Sequence, residues 1–417
     1  MVSEKKKQLA KLLPEGKFNY KIRTHMLLLG TSGSGKGVTI NHILKKNFED
    51  NNHIIMISAK LAHTDNYSQL TYCKKMAEKY NRPLYVVSMD EQVEDRYQYN
   101  PLMHLGEVEL LNALNSMIHV DSHYYHTNFS SWVLCIYDLL KKAGEKVSFS
   151  KILRLYSYAD YFAFVNQLHD DNVISDEEQE YFLSDRIKTY ADTAINDSAN
   201  LDLVLRSGKP VLEKTPNGKK ISITDALKER AVIYFDLNGN SAASATMLIG
   251  SCILAELQHV VREFCDSDDK KTVICDEASF YISDMLVSLF NESRSAGYQM
   301  ILSTQGPSDL KNSNAVTDLL GKITNNTNQY GILRLNGQED ADMAGNLIGT
   351  TLISENTRRA TSIDYDEIGS LKATPAMIAN PNMIKNLNTC EMIYYEKQNN
   401  GDHDPHPVLV KWRTDDL

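Results

Sequence analysis

Apolar and polar positions alternate in three successive textures along the chain. Up to about residue 104, short apolar runs at Met26–Leu29, HIIMISA (53–59) and PLYVVSM (83–89) are separated by polar stretches of helical period. Runs this short, bounded by turn residues, read as buried strands, and strands alternating with helices predict a parallel, doubly wound α/β sheet. From 105 to 224 the strand signal gives way to helical patterns: GEVELLNALNSMI, NFSSWVLCIYDLLKKAG and FSKILRLYSYADYFAFVNQL. Ser175 with Glu178 three positions on predicts a capping box that opens a further helical run through Arg186 to Leu205. Residues 210–222 read as a small hairpin turning at Asn217–Gly218 in a type I′ turn. Strands return at 231–237, 272–279, 299–304, 330–335, 390–397 and 407–412, with a long apolar helix at 243–264 and an amphipathic one at 282–296. The expected organisation is an arm at 1–16, an α/β domain made of 17–104 and 225–417, and an all-α insertion at 105–224. Tyr124, Tyr125, Trp132, Tyr156, Tyr158, Tyr161, Phe162 and Phe164 of the insertion read as core, against the alternative of a base-stacking platform.

Composition narrows the class. At 417 residues, 42% hydrophobic and 24% charged, the chain has the balance of a globular protein with a substantial core. No window reaches the roughly 20 apolar residues of a membrane span, and the N-terminus MVSEKKKQLAKLL has no secretory core, so a soluble, cytoplasmic chain is expected. Its lysine-rich arm reads as a solvated leader, the alternative being a helix for a partner or a membrane surface. The six cysteines have no C-x-x-C spacing and read as buried free thiols. A net charge of −10 argues against a broad nucleic-acid-coating surface, leaving a local basic strip or a ring pore open.

The richest stretch is 23–47, strand, glycine-rich turn, helix. Gly30, Thr31, Ser32, Gly33, Ser34, Gly35 and Lys36 have the G-x-x-x-x-G-K spacing of a phosphate-binding loop. Glycines let such a loop curl through positive φ and aim backbone N–H groups at a phosphate, while Lys36 carries charge to the β and γ phosphates. The following helix, opened by Gly37, Val38 and Thr39, points the positive end of its dipole at the same anion. ATP with Mg²⁺ is the expected ligand. The hydroxyl that normally follows the lysine and ligates the metal is replaced by Gly37, and whether Thr39 substitutes for it is open at this level.

A second constellation lies downstream. In TVICDEAS an apolar strand ends in Asp276 and Glu277, adjacent acids that can divide two roles: the first holds Mg²⁺, the second orients the attacking water. Gln305, ending QMILSTQ, is placed to sense the γ-phosphate, against the alternative of a simple turn residue. Arg294 in NESRSAG is a candidate arginine finger from a neighbouring subunit; Arg334 and Arg358–Arg359 are weaker candidates.

Several stretches together resemble one family, the type IV secretion coupling ATPases, conjugative DNA-transfer motors of the FtsK/HerA superfamily. They are the loop reading S-G-K-G-V, His25, YNPL at 99–102, ICDEAS, SRSAGYQMILSTQGPSDL at 293–310 and NTNQYGILRLNGQEDADMAGNLIGT at 326–350. The resemblance implies a RecA-like P-loop motor with a parallel or mixed sheet and an inserted all-α domain. It implies a homo-hexamer that hydrolyses ATP between subunits and passes DNA, bringing relaxase–DNA or secreted protein substrates to a type IV secretion channel at the inner face of the membrane. Carried over, Lys36 binds phosphate, Asp276 holds Mg²⁺, Glu277 is the catalytic base, Gln305 the sensor and Arg294 a finger. The family's N-terminal membrane helices are not found in this sequence, so an excised cytoplasmic portion, or a soluble member whose membrane link is lost or supplied by a partner, is expected. Two alternatives are another DNA translocase of the superfamily and a docking platform whose nucleotide site turns over little.

Overall fold

The computed structural model describes residues 13–22, 24–60, 68–103, 105–115, 123–194, 206, 208, 211–212, 218–239, 241–266, 268–311, 319–357, 370–397 and 406–412. Its strands are β1 (His25–Leu29), β2 (His53–Ser58), β3 (Leu84–Ser88), β4 (Gln98–Tyr99), β5 (Lys220–Ile221), β6 (Val232–Asp236), β7 (Lys271–Asp276), β8 (Tyr298–Thr304), β9 (Thr327–Ile332), β10 (Thr350–Thr357), β11 (Ser370–Met377), β12 (Glu391–Glu396) and β13 (Val408–Lys411). The fold is α/β with a mostly parallel sheet of nine strands, reading β13-β12-β9-β1-β8 in one compact unit and β7-β2-β6-β3 in another. Every residue of β1, β2, β6 and β7 is buried, which is why these strands appear in the sequence as unbroken apolar runs. The expected RecA-like α/β class is what the structure has.

The first unit comprises Met1–Ile43, Ile301–Asn312 and Asp318–Leu417. In it β1 lies between β8 and β9, parallel to both, with Leu29 level with Thr304 on one side and Ile332 on the other. Antiparallel β12 and β13 complete its edge, and β10 pairs with β11 as a separate ribbon. β9 begins and ends three residues before the expected 330–335, so Arg334 lies beyond the strand.

The second unit comprises Leu44–Met300 and Ser313–Thr317. Its parallel strands end level with one another: Ser58 is opposite Asp276 on β7 and Asp236 on β6, and Ser88 is opposite Asp236. The helix Ala243–Glu263 is long and apolar enough to cross a membrane, which corrects the expectation that no such window exists. Its most apolar window is 78% buried within the protein, so the apolar length here serves a core helix covered on several sides.

Between 105 and 194 the described residues form six helices: Glu107–Asn115, His123–Lys142, Phe149–Arg154, Tyr158–Asp170, Asp176–Phe182 and Asp185–Ala194. Trp132, Tyr161 and Phe129 are almost wholly buried, and the Trp132 indole donates to the Tyr156 carbonyl at 3.1 Å. The core reading of the aromatics holds for Trp132, Tyr156 and Tyr161, whereas Tyr124, Tyr125 and Phe162 are exposed. The Ser175–Glu178 capping box forms, but its helix stops at Phe182 instead of continuing to Leu205. Phe182 and Ile187 are both buried, yet positions five apart lie about 140° apart around one helix, so a break buries both. Residues 195–205 lie outside the described residues except as part of that expectation. The expected hairpin is also overturned. Residues 211–212 are helical and β5 pairs in parallel with β4, with the Gln98 amide donating to the Lys219 carbonyl at 2.8 Å. A tertiary partner thus satisfies the backbone that a local turn was expected to satisfy.

Candidate nucleotide site

The glycine-rich loop follows β1 directly, and Lys36–Glu49 is the helix behind it. Gly33 and Gly35 have φ of +74° and +105°. Gly30 is needed for space: a Cβ there would lie 2.6 Å from the Ser34 hydroxyl and 2.9 Å from Leu333. The loop is tied down at its start, where the Gly30 amide donates to Thr304 and the Thr31 amide and hydroxyl both donate to the Arg334 carbonyl at 3.0 and 3.1 Å. Further along, the amides of Ser32, Gly33, Gly35, Gly37 and Val38 donate to no acceptor among the described residues. Five amides without acceptors in a seven-residue span, beside a lysine that is 8% exposed, form a nest for an anion. The Lys36 ammonium is held by the Gly30 carbonyl, folded back over the loop. The Ser34 hydroxyl is fully buried with no partner, a second orphan donor in the same turn.

Thr39 is a different matter. Its hydroxyl is wholly buried, donates to the Gly35 carbonyl at 3.4 Å and accepts the Trp412 indole N–H at 3.1 Å. The hydroxyl thus gives its proton to the loop and one lone pair to Trp412, an engagement that the sequence-based reading of Thr39 as a metal ligand did not include.

Gln305 follows the last residue of β8 and is exposed. Asp309 fixes the turn behind it, taking the Thr304 hydroxyl at 2.5 Å and the Gln305 and Gly306 amides at 3.0 and 3.3 Å on one carboxylate oxygen. Arg358 and Arg359 lie outside the described residues.

In the second unit, Asp276 is the last residue of β7 and 3% exposed; Glu277 is 8% exposed. Glu277 has φ 49° and ψ 46°, a left-handed conformation that costs a residue with a Cβ about 1 kcal/mol. It turns the chain sharply into Ala278–Phe280, so that the second acid leaves the strand's line while the first stays on it. The Asp276 carbonyl is pinned by the Tyr281 hydroxyl at 3.2 Å and the Ala59 amide at 3.3 Å. Burial pushes the neighbouring Cys275 thiol up to about 12, so it stays protonated and takes no part as a nucleophile. Arg294 is exposed in the turn after Asp284–Glu292.

Residues 271–381 match the family model described as the TraM recognition site of TraD and TraG. The fold matches the bacterial conjugative coupling protein TrwBdeltaN70 in its unbound form, with a TM-score of 0.68 at 11% identity over 98% of this chain and 91% of that one. TrwB in complex with ADP and Mg²⁺ matches at 0.64 with 11% identity over 98% and 91%, and VirB4 of Thermoanaerobacter pseudethanolicus at 0.59 with 11% over 95% and 92%. The resemblance to conjugative coupling proteins holds. No curated protein sequence matches the chain. The family match spans Asp276, Glu277, Arg294, Gln305 and Arg334, and begins on the strand that carries the acid pair.

Two features escaped sequence reasoning. Asp236 ends β6 at the same level as Asp276, 2% exposed, and its carboxylate accepts the Ser88 hydroxyl at 2.7 Å. The signal was present, since VIYFD repeats the pattern of an apolar strand closed by an acid. The other is the C-terminal segment. The Cys390 amide donates to the Ser34 carbonyl at 2.9 Å and the Thr389 hydroxyl to that of Gly33 at 3.3 Å. Nothing local in 388–412 announces this role, because it arises only when β12 and β13 are placed.

Proposed function

We propose that the chain is an ATP-hydrolysing coupling protein of conjugation, which takes up relaxase–DNA or protein substrates and drives DNA transfer into a type IV secretion channel. The observation that carries the reading is the family match at 271–381, which contains the acid pair and Gln305, in a chain that also has an open phosphate nest at 30–38. In this reading 17–104 and 225–417 are the motor, 105–224 the inserted helical domain, and TraM-like relaxosome components the docking partners.

The amides of Ser32 to Val38 and Lys36 take the β and γ phosphates, and Asp276 holds Mg²⁺, which when bound neutralises phosphate charge. Glu277 accepts a proton from the attacking water and holds it in line, and Gln305 orients the same water. Developing charge at the γ-phosphate calls for a cation beyond Lys36, and Arg294, exposed on its turn, acts in trans within a homo-hexamer. The donor set fits this use: orphan amides and a buried hydroxyl for the anion, and a nearly buried carboxylate for the cation.

Glu277→Gln tests the chemistry. ATP should still bind while turnover falls about 10²–10⁴-fold, as for loss of a positioned base. Unchanged turnover would remove Glu277 from the mechanism.

A further inference from the structure

The loop has lost the hydroxyl that ordinarily follows its lysine, and Gly37 leaves the first turn of the helix without a side chain at that point. Glycine inside the first turn also loosens it relative to alanine. The structure contains a brace at that place. Trp412 lays its ring on that of His42, with centroids 3.8 Å apart and planes 15° apart, and takes the edge of Phe18 at 5.2 Å. Its indole N–H reaches the Thr39 hydroxyl at 3.1 Å, and that hydroxyl reaches the Gly35 carbonyl. Its backbone amide donates to the Cys390 carbonyl at 2.9 Å, while the Cys390 amide donates to Ser34. The carbonyls of Gly33, Ser34 and Gly35 are therefore all engaged by one segment, the first two through Thr389 and Cys390 and the third through Thr39 and Trp412. A Cβ on Gly35 would lie 2.8 Å from the Cys390 amide nitrogen, which shows how closely the segment follows the loop.

We propose that Trp412 is a positioning residue of the phosphate loop, holding its amides ready for the nucleotide through Thr39 and His42; this rests on the nucleotide-binding reading above. Peptide units whose carbonyls are already fixed have little left to order when the phosphates arrive, so the brace appears as affinity. It holds the phosphates alike in the bound ground state and the transition state and leaves the acids of the second unit untouched, so its loss raises KM far more than it lowers kcat.

The test is titration calorimetry of the full chain with a non-hydrolysable ATP analogue, alongside steady-state ATPase kinetics. Trp412→Phe keeps the ring on His42 and removes only the N–H; it should weaken binding about three- to ten-fold, the value of one hydrogen bond, with kcat changed less than about two-fold. Thr39→Val also removes the bond to the Gly35 carbonyl and should weaken binding at least as much, and the double variant should be no weaker than Thr39→Val alone, because that change has already removed the interaction that Trp412→Phe removes. Far-ultraviolet circular dichroism checks that each variant is folded, and Trp412→Phe carries the test if Thr39→Val is not. Equal affinity of wild type and Trp412→Phe, or additive losses in the double variant, would overturn the brace and leave the nucleotide reading standing. A wild-type chain that binds no analogue would overturn both.

Discussion

Replacing Glu256 by glutamine should flatten the pH dependence of stability. Glu256 lies on the helix Ala243–Glu263 with no exposed surface; one carboxyl oxygen accepts the Tyr99 hydroxyl at 2.6 Å and the other the Ile223 amide at 3.0 Å. Burial is the dominant influence and pushes its pKa from 4.5 to about 7, against the pull of those donors. Above pH 4.5 the unfolded chain has lost this proton, while the folded chain keeps it until about 7. The folded state binds the extra proton in that window, so stability falls as pH rises and the loss is complete above about 7. The gap corresponds to about 3 kcal/mol in order of magnitude. A glutamine presents a neutral oxygen to the Ile223 amide and an NH₂ to the Tyr99 oxygen, resembling the protonated acid at every pH. Urea unfolding of both proteins from about pH 5 to about pH 8.5 should show the variant gaining about 2–3 kcal/mol on the wild type across the range. Parallel curves, separated by a constant amount, would refute the argument. Tyr99, the first residue of YNPL, thereby acquires a structural role: its hydroxyl ties the chain entering the helical region to the long core helix.

Three further perturbations separate space, packing and subunit action. Gly35→Ala combines a φ of +105° with the 2.8 Å approach to Cys390, whereas Gly33→Ala meets only the φ of +74° in open space; ATP affinity should fall well over ten-fold in the first and about five-fold in the second, by titration calorimetry. Trp132→Ala, which empties a fully buried site and removes the indole N–H that the Tyr156 carbonyl accepts, should cost about 3–5 kcal/mol in urea unfolding. Arg294→Ala subunits mixed with wild type should depress ATPase activity more steeply than their fraction, and a straight-line decline would count against a finger acting in trans.

Local chemistry carried far in this sequence. The buried parallel strands were legible because continuous apolar runs bounded by glycine and acid have few other solutions. The glycine-rich loop was legible because glycines adopt the positive φ of Gly33 and Gly35 without the strain that a side chain brings. The Asp276–Glu277 pair and Gln305 were readable as strand endings, since each closes an apolar run. Tertiary structure decided what depended on partners distant in sequence. It ended the helix at Phe182 so that Phe182 and Ile187 could both be buried, and paired Lys220–Ile221 with Gln98–Tyr99 where a hairpin was expected. It also turned the Thr39 hydroxyl to Trp412, 373 residues away. A periodic pattern reports which face of an element is buried; it does not report what buries it, and hydroxyls, backbone carbonyls and short strands take their partners from whatever the fold brings to them.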